Sequence, residues 1–289
     1  MIKSIFFFVF FISIGFGSNI LAQATIMINP KRVIFKSNEL KHSIVVMNTG
    51  DTESNYVVSF TQQRMNEDGS FTTITEPDPG QRFADRHLRI YPRQILLKAG
   101  ESQLVIIQRR RSSNMEIGEY RSHLTFKTAP SNTPMKTDEE NESSSGFTTK
   151  ITTLYGMSIP IILHSGEVAV STHIKDIQLK DTLLTFNIHR KGNISTYGNF
   201  LIQYIPDQGE PITIKKLVGI AVYTTIEKRM MTFNLDKLPN IDLKKGRLKI
   251  IYEAPTGSIQ QVFAEKTFFE GNIAGVVSVS GYTNSAKML

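Results

Sequence analysis

Apolar and polar residues alternate along most of this chain with the period of a β-strand. Three early runs, IMINPKRVIF (26–35), KHSIVVMN (41–48) and NYVVSFTQQR (55–64), are rich in Val, Ile, Phe and Tyr. Almost nothing after residue 24 repeats its apolar positions at helical spacing, and turn residues such as Glu67, Asp68 and Gly69 separate the runs. The pattern therefore predicts an all-β protein.

The predicted strands fall into two groups of about seven, the number expected of an immunoglobulin-like sandwich. We therefore predict two immunoglobulin-like β-sandwich domains, at 25–164 and 165–271, followed by a tail at 272–289 in which an edge strand at 273–279 is left open. The strands of the first domain are predicted at 26–35, 41–48, 55–64, 88–97, 102–110, 119–127 and 150–164. Those of the second are predicted at 168–179, 182–190, 198–205, 212–224, 229–235, 246–253 and 260–269.

One long polar segment interrupts the first group of strands. Residues 128–146, TAPSNTPMKTDEENESSSG, offer almost no apolar side chain to bury, so burial cannot offset the entropy lost on ordering them. We predict a mobile loop here. Loops of this length inside a domain are often functional, although a connection without a role is the alternative.

The first 24 residues have the layout of a secretory signal peptide. Lys3 precedes an apolar run from Ile5 to Phe16, and the small-x-small triplet at 22–24 follows it. The run is shorter than the roughly 20 residues of a membrane-spanning helix, which makes an uncleaved anchor the weaker alternative. We therefore predict export, with the mature chain beginning at Thr25.

Composition and charge narrow the possible partners. The chain of 289 residues has no cysteine, which excludes a cysteine nucleophile, disulfides and a thiolate metal site. Its net charge is +7, which favours anionic membranes or acidic proteins as partners, while export argues against nucleic acid. The arginine triplet at 109–111 is interpreted as a solvated strand end, with a binding patch as the alternative.

Motifs that carry chemistry are absent from the sequence. The six histidines show no paired spacing typical of zinc sites, and there is no nucleophile elbow, phosphate-binding glycine loop or calcium loop. We therefore predict a protein that is not an enzyme and needs no metal or cofactor. An acid–base pair assembled from distant strands, as in a hydrolase, stays open as an alternative.

The last predicted strand of the first group, KITTLYGMSIPIIL, has one nearly continuous apolar face. Because side chains alternate along a strand, Ile151, Thr153, Tyr155, Met157, Ile159 and Ile161 share that face. Pro160 has no N–H to give to a ladder and is typical of an edge or strand end. This strand therefore has the features of an open apolar edge to which another chain can add a strand.

At this point the sequence resembles the PapD-like periplasmic chaperones of pilus assembly. The resemblance spans nearly the whole mature chain, and its second half is similar to an outlying branch of that superfamily. The segments that carry it are INPKRVIF (28–35), RIYPRQILLKAGESQLVII (89–107), GEYRSHLTF (118–126), YGMSIPIIL (155–163), IHRKGNISTYGNF (188–200) and LVGIAVYT (217–224).

The resemblance implies an anchor for the C-terminal carboxylate of a pilus subunit. Arg32 falls at the position of the family's anchoring arginine, and a guanidinium can bind a carboxylate bidentately. The family's second basic residue, a lysine, does not carry over because Pro160 stands at its position. Lys150, Arg89 and His164 remain open as replacements.

The resemblance also implies a periplasmic, ATP-independent chaperone that lends its strand to pilus or fimbrial subunits, a form of strand addition. Ile151, Thr153, Tyr155, Met157 and Ile159 fall at its subunit-binding positions. Transfer of the subunit to an outer-membrane usher and a self-capping dimer of the free protein are left open. The alternative function is a structural or adhesive secreted surface protein in which the same strand is internal.

Overall fold

The structure is a computed structural model. It describes residues 26–36, 38–111, 115–129, 156–235, 241, 245–257, 261–269 and 284–285. Within these residues the only helical element is a short 3-10 turn, Asp85–His87, and the remaining regular structure is β-strand. The all-β prediction is therefore confirmed, and the strands form two sandwiches of immunoglobulin-like type.

Ten strands build the first sandwich. They are β1 (Ile26–Asn29), β2 (Val33–Phe35), β3 (Lys41–Asn48), β4 (Ser54–Met65), β5 (Phe71–Ile74), β6 (Leu88–Tyr91), β7 (Gln94–Leu97), β8 (Ser102–Arg109), β9 (Gly118–Thr128) and β10 (Gly156–Ser165). One sheet has the order β1-β3-β8-β6, and the other has the order β2-β10-β9-β4 with both β5 and β7 paired to β4.

The two sheets of the first sandwich enclose one hydrophobic core. Ile44 and Val105 come from the first sheet, Leu124 and Ile161 from the second, and all four have no exposed surface. Alternate residues of each strand point inward, as the period-two pattern of the sequence requires. Burial of these branched and aromatic side chains is the main stabilising term for a chain without disulfides.

Two predicted strands are each divided between the two sheets. The predicted strand 26–35 is observed as β1 and β2, and 88–97 as β6 and β7. Pro30 and Pro92 lie at the two breaks. Because proline has no N–H and ends a ladder, the chain crosses from one sheet to the other at these points.

The hairpin of β4 and β5 extends from the first sandwich. Its turn at Glu67–Gly69 is as predicted, with Gly69 at a φ of 85° and its N–H bonded to the carbonyl of Asn66. The short strand β5 is missing from the sequence prediction, because its residues are mostly exposed and carry no burial pattern.

Eight strands build the second sandwich. They are β11 (Ala169–Lys180), β12 (Leu183–Gly192), β13 (Thr196–Ile205), β14 (Ile212–Val222), β15 (Lys228–Asn234), β16 (Arg247–Glu253), β17 (Val262–Phe268) and β18 (Asn284–Ser285). The sheets have the orders β15-β12-β11-β18 and β14-β13-β16-β17. Phe186, Phe200 and Tyr252 stack in the centre of this core. The optional edge strand at 273–279 lies outside the described residues.

Two neighbouring leucines in β7 test the contribution of the first core. Leu97 has no exposed surface, whereas Leu96 is 58% exposed. We expect Leu97→Ala to lower the free energy of unfolding by about 2–5 kcal/mol, because it removes buried methyl groups and leaves a cavity. Leu96→Ala should change it by less than about 0.5 kcal/mol. Urea unfolding monitored by circular dichroism measures both, and equal effects would contradict the assigned register of β7.

Candidate functional site

Strand β10 presents its two faces to different parts of the molecule. Ile159, Ile161 and Leu163 point into the core of the first sandwich. Ile162 points the other way and packs with Met65 of β4 and with residues of the second sandwich. The alternation predicted from the sequence therefore holds over the described part of the strand.

The outer edge of β10 is only partly paired. Parallel strand β2 pairs with Ile161, Ile162 and Leu163, and antiparallel strand β9 covers the opposite edge along the whole of β10. No strand in the described part of the chain pairs with Gly156–Pro160 on the β2 side. This stretch is therefore an available edge for a further strand.

Arg32 lies just before β2, between the two sandwiches. Since Val33 is in register with Ile161, Arg32 is placed next to Pro160. Its guanidinium donates a hydrogen bond of 3.1 Å to the hydroxyl of Tyr223 and lies 4.7 Å from the ring centroid of Tyr197. Both tyrosines belong to the second sandwich, so Arg32 bridges the junction through hydrogen-bond and cation–π contacts.

Arg121 of β9 also contacts Tyr223. Its guanidinium carbon is 3.9 Å from the centroid of the Tyr223 ring, and one terminal nitrogen donates to the carbonyl of Gln63 at 3.2 Å. Arg121 is only 3% exposed, yet its Nε and Nη1 have no hydrogen-bond partner among the described residues. The buried Nε of Arg32 is also without one. Such unpaired buried donors are costly unless a ligand accepts from them.

Glu119, two residues before Arg121, bonds to the second sandwich. Its carboxylate is buried and accepts hydrogen bonds from the backbone N–H of Ser195, at 2.7 Å, and from the Ser195 hydroxyl. The Nε2 of His164 lies 3.7 Å from the same carboxylate. Burial raises the pKa of Glu119, but the hydrogen bonds of His164 and Ser195 and the charge of Arg32 outweigh it and hold the pKa below its ordinary value.

The junction carries more positive than negative charge. Glu119 is the buried carboxylate that acts on Arg32, Arg121 and Arg190. Both terminal nitrogens of Arg190 donate to backbone carbonyls of the second sandwich, four bonds in all, while its buried Nε has no partner among the described residues. Arg32 and Arg121 thus share one carboxylate and keep spare donors, an arrangement that favours binding of an additional anion.

The low pKa of His123 shows that this region disfavours a further positive charge. Burial, followed by the charges of Arg121 and Arg32, lowers the pKa of His123 to about 3. Its ring makes edge contacts with Phe71 of β5 and with Tyr223. His123 is therefore neutral at ordinary pH, and the arginines supply the positive charge of the junction.

The β4–β5 hairpin fixes the second sandwich against the first. The carbonyl of Glu67 accepts a hydrogen bond of 2.7 Å from the N–H of Met230, and its carboxylate lies 3.3 Å from the Nζ of Lys228. Met65, at the base of the hairpin, packs with Ala221 and Tyr223. These contacts fix the position of Tyr223, which both arginines contact.

The predicted strand residues have different positions in the structure. Ile151, Thr153 and Tyr155 lie outside the described residues. Met157 is 39% exposed at the end of the first core, whereas Ile159 is 2% exposed and packs within it. Ile159 is thus covered by the protein's own core, and its predicted role in subunit binding stays a prediction.

The structure brings Arg121 to Arg32, which the sequence reasoning missed. Of the three replacements considered for the family's lysine, Arg89 lies on the other sheet, His164 faces Glu119, and Lys150 is outside the described residues. A signal for Arg121 existed in GEYRSHLTF. Its ionisable residues alternate on one face of a buried strand, a pattern typical of a polar interface.

Neither a metal centre nor a membrane-spanning helix is found in the described parts of the chain. No group of three or more His, Asp or Glu side chains there is arranged to hold a metal ion. None of the described helical structure is long and apolar enough to cross a bilayer.

Comparison with known proteins gives structural matches only. No protein-family model and no curated protein matches the sequence. One match is the solved CsuC–CsuE chaperone–tip adhesion subunit complex from archaic chaperone-usher Csu pili of Acinetobacter baumannii. The match covers 83% of this chain and 97% of the matched chain, with 13% identity and a TM-score of 0.44. The class 5 fimbriae chaperone CfaA matches 82% of this chain and 98% of its own, with 14% identity and a TM-score of 0.41.

A Salmonella enterica structure of the SafA pilin with the SafB chaperone also matches. It covers 86% of this chain and 97% of its own, with 12% identity and a TM-score of 0.40. These solved structures contain pilus chaperones, the class of protein that the sequence resembles. At such identities and TM-scores they do not assign a function, which has to come from the residues of the junction and of β10.

The depressed pKa of His123 predicts that acid destabilises the protein. The folded state keeps His123 neutral down to a pKa of about 3, whereas the unfolded chain takes up a proton near the ordinary value of 6.5. Between these values the unfolded state binds more protons, so stability falls as pH falls. From pH 6.5 to 5 we expect His123→Asn to remove about 1–2 kcal/mol of the loss in unfolding free energy seen for the parent protein.

The same substitution at exposed His173 serves as the control for this measurement. Urea unfolding at a series of pH values should show a flatter pH dependence for His123→Asn alone. An unchanged slope in that variant would show that His123 is not the group held neutral by the arginines.

Proposed function

We propose that this protein is an exported, non-enzymatic chaperone for pilus or fimbrial subunits. Its junction binds the C-terminal carboxylate of a client, and the open edge of β10 pairs with a client strand. The observation that carries the proposal is the pair of arginines, Arg32 and Arg121, which both contact Tyr223 at the junction and keep buried donors without partners. A carboxylate accepts several hydrogen bonds and compensates the excess positive charge.

The position of Arg32 supports strand addition as the mode of binding. Arg32 is next to Pro160, where the unpaired edge of β10 begins, and the edge runs from there towards Gly156. A client strand whose last residue is held by the arginines can therefore continue along Gly156–Pro160 with backbone hydrogen bonds. Its register is set by the anchor, because the carboxylate fixes one end of the strand.

Apolar burial supplies the second part of the binding energy. Met157 is 39% exposed where the row of inward-facing side chains leaves the first core. In the proposal Met157, together with Ile151, Thr153 and Tyr155, fills an open groove of the client, and Ile159 lies at the inner end of the row. At about 25 cal/mol per Å², a few such side chains outweigh an exposed ion pair. No covalent chemistry is needed.

The same proposal includes three predictions that depend on the cell. Residues 1–24 act as a cleaved signal peptide, and the mature protein works in the periplasm. The loaded chaperone passes its client to an outer-membrane usher. The unloaded protein caps its own edge in a dimer, because an unpaired apolar edge is otherwise prone to aggregation.

Co-purification from the native host tests the anchor. We expect the tagged parent protein to carry a small secreted β-protein at fixed stoichiometry, identified by mass spectrometry. Arg32→Ala and Arg121→Ala should each reduce the recovered client by tenfold or more, since each removes charge-assisted hydrogen bonds worth about 1.5–3 kcal/mol. Arg89→Ala, an exposed arginine on the other sheet, is the matched control and should retain the client.

Circular dichroism and size-exclusion chromatography establish that the variants are folded. If parent and variants are all folded monomers without a client, the chaperone proposal loses its support. The function as a structural or adhesive surface protein would then account better for the two sandwiches. Retention of the client by the folded Arg32→Ala and Arg121→Ala variants would contradict the anchor alone.

A further inference from the structure

The outer face of the sheet β1-β3-β8-β6 combines a basic end with an apolar middle. The solvent-facing side chains follow from the register, in which Tyr91 is opposite Ile106, and Val45 is opposite Leu104. This face lies on the side of the first sandwich away from its core and does not include the junction residues.

The basic end is built from segments that are distant in sequence. Arg89 is opposite Gln108, which is also opposite Lys41, so these residues form one row across the sheet. The N–H of Arg110 donates to the carbonyl of His87 at 2.8 Å, which places Arg110 beside the start of β6. Arg86, Arg110 and Arg111 are exposed around it.

The protonation of His87 reports on this concentration of charge. Burial lowers the pKa of His87, and the charges of Arg109, Arg86 and Arg110 lower it further against the opposing effect of Asp85. The arginine triplet at 109–111 therefore does not stand alone at a solvated strand end. The fold adds Arg86 and Arg89 to it.

The apolar middle follows directly on the basic row. Tyr91 is 74% exposed, Leu104 54%, Met27 46% and Val45 38%. They lie on the same face of neighbouring strands, at positions set by the pairing of β1 with β3 and of β3 with β8. In these four fully described strands no carboxylate occupies the outward positions. The face is therefore cationic at one end and apolar in the middle, and its strand positions carry no acidic side chain.

We propose that this face docks on the surface of an anionic phospholipid bilayer. A bilayer offers acidic headgroups in a plane, and directly below them the zone in which tyrosine and aliphatic side chains are favourably placed. The arginines contact the headgroups, while Tyr91 and Leu104 enter the interface. The junction cleft stays on the other side of the sandwich, so this docking does not depend on the proposed client binding.

Vesicle co-sedimentation tests the proposal. The protein recovered after expression of the full chain is mixed with vesicles of phosphatidylcholine, with or without phosphatidylglycerol. The neutral vesicles measure any binding through apolar N-terminal residues. We expect binding that requires phosphatidylglycerol and weakens as salt is raised. The double variant Arg89→Gln/Arg110→Gln should partition about 30-fold more weakly, since each basic residue near such a surface contributes about five- to sixfold.

A matched pair of exposed lysines on the second sandwich controls for net charge. Lys215→Gln/Lys216→Gln removes the same charge from β14 and should leave vesicle binding almost unchanged. Tyr91→Ser should reduce the part of the binding that resists salt. Both readouts are specific to the face rather than to overall charge.

Three results would overturn the proposal. The first is equal binding to neutral and anionic vesicles, and the second is an equal loss in the arginine and lysine double variants. The third is no binding to vesicles together with binding to poly-glutamate that Arg89→Gln/Arg110→Gln abolishes. That last result would assign the face to an acidic protein partner.

Discussion

The charge balance around Glu119 is the constraint on which the junction depends. A single buried carboxylate has to bond to the second sandwich and also offset the charge of the arginines around it. It meets the first demand through Ser195, which donates to it from the second sandwich with both its backbone N–H and its hydroxyl. It meets the second only in part, because Arg32 and Arg121 retain unpaired donors in a region of low exposure. Burial, and then the charges of Arg121 and Arg32, keep His123 neutral, and the proposed client carboxylate offsets the same excess of positive charge.

Strand β10 connects this electrostatic site to the rest of the proposed mechanism. Its inward face completes the first core with Ile159, Ile161 and Leu163, so the strand is firmly placed. Its other face meets the second sandwich through Ile162. Between these contacts, Gly156–Pro160 keeps an edge that no described strand pairs on the β2 side. Strand β10 therefore offers a binding edge beside Arg32, and the ligand that we propose for both is an extended chain with a free carboxylate.

The sequence predicts the class of fold well because period-two alternation depends only on local burial. It also places Arg32 near Pro160, although by resemblance and not by geometry. It does not show that the segments 26–35 and 88–97 each change sheet, because a proline in a strand signals a break without saying where the chain goes next.

Contacts between the sandwiches cannot be predicted from the pattern of any single segment. Tyr223 receives Arg32 and Arg121 from strands about 100 residues or more away, and no local pattern encodes which tyrosine of the second half reaches the junction. The β4–β5 hairpin was also missed as a structural bridge, since its bonds to Met230 and Lys228 come from the second sandwich. The alternation of Glu119, Arg121 and His123 on one strand was visible, but its meaning required the partner surface.

The most direct test of carboxylate binding at the junction measures whether the effect of the client's C-terminal carboxylate depends on Arg121. A peptide from the C terminus of the co-purified client, as the free acid and as the amide, is titrated against the parent protein and the Arg121→Gln variant by calorimetry. We expect amidation to weaken binding to the parent at least about tenfold and to have little effect on the variant. Equal effects of amidation on both proteins would show that the cleft does not hold the carboxylate.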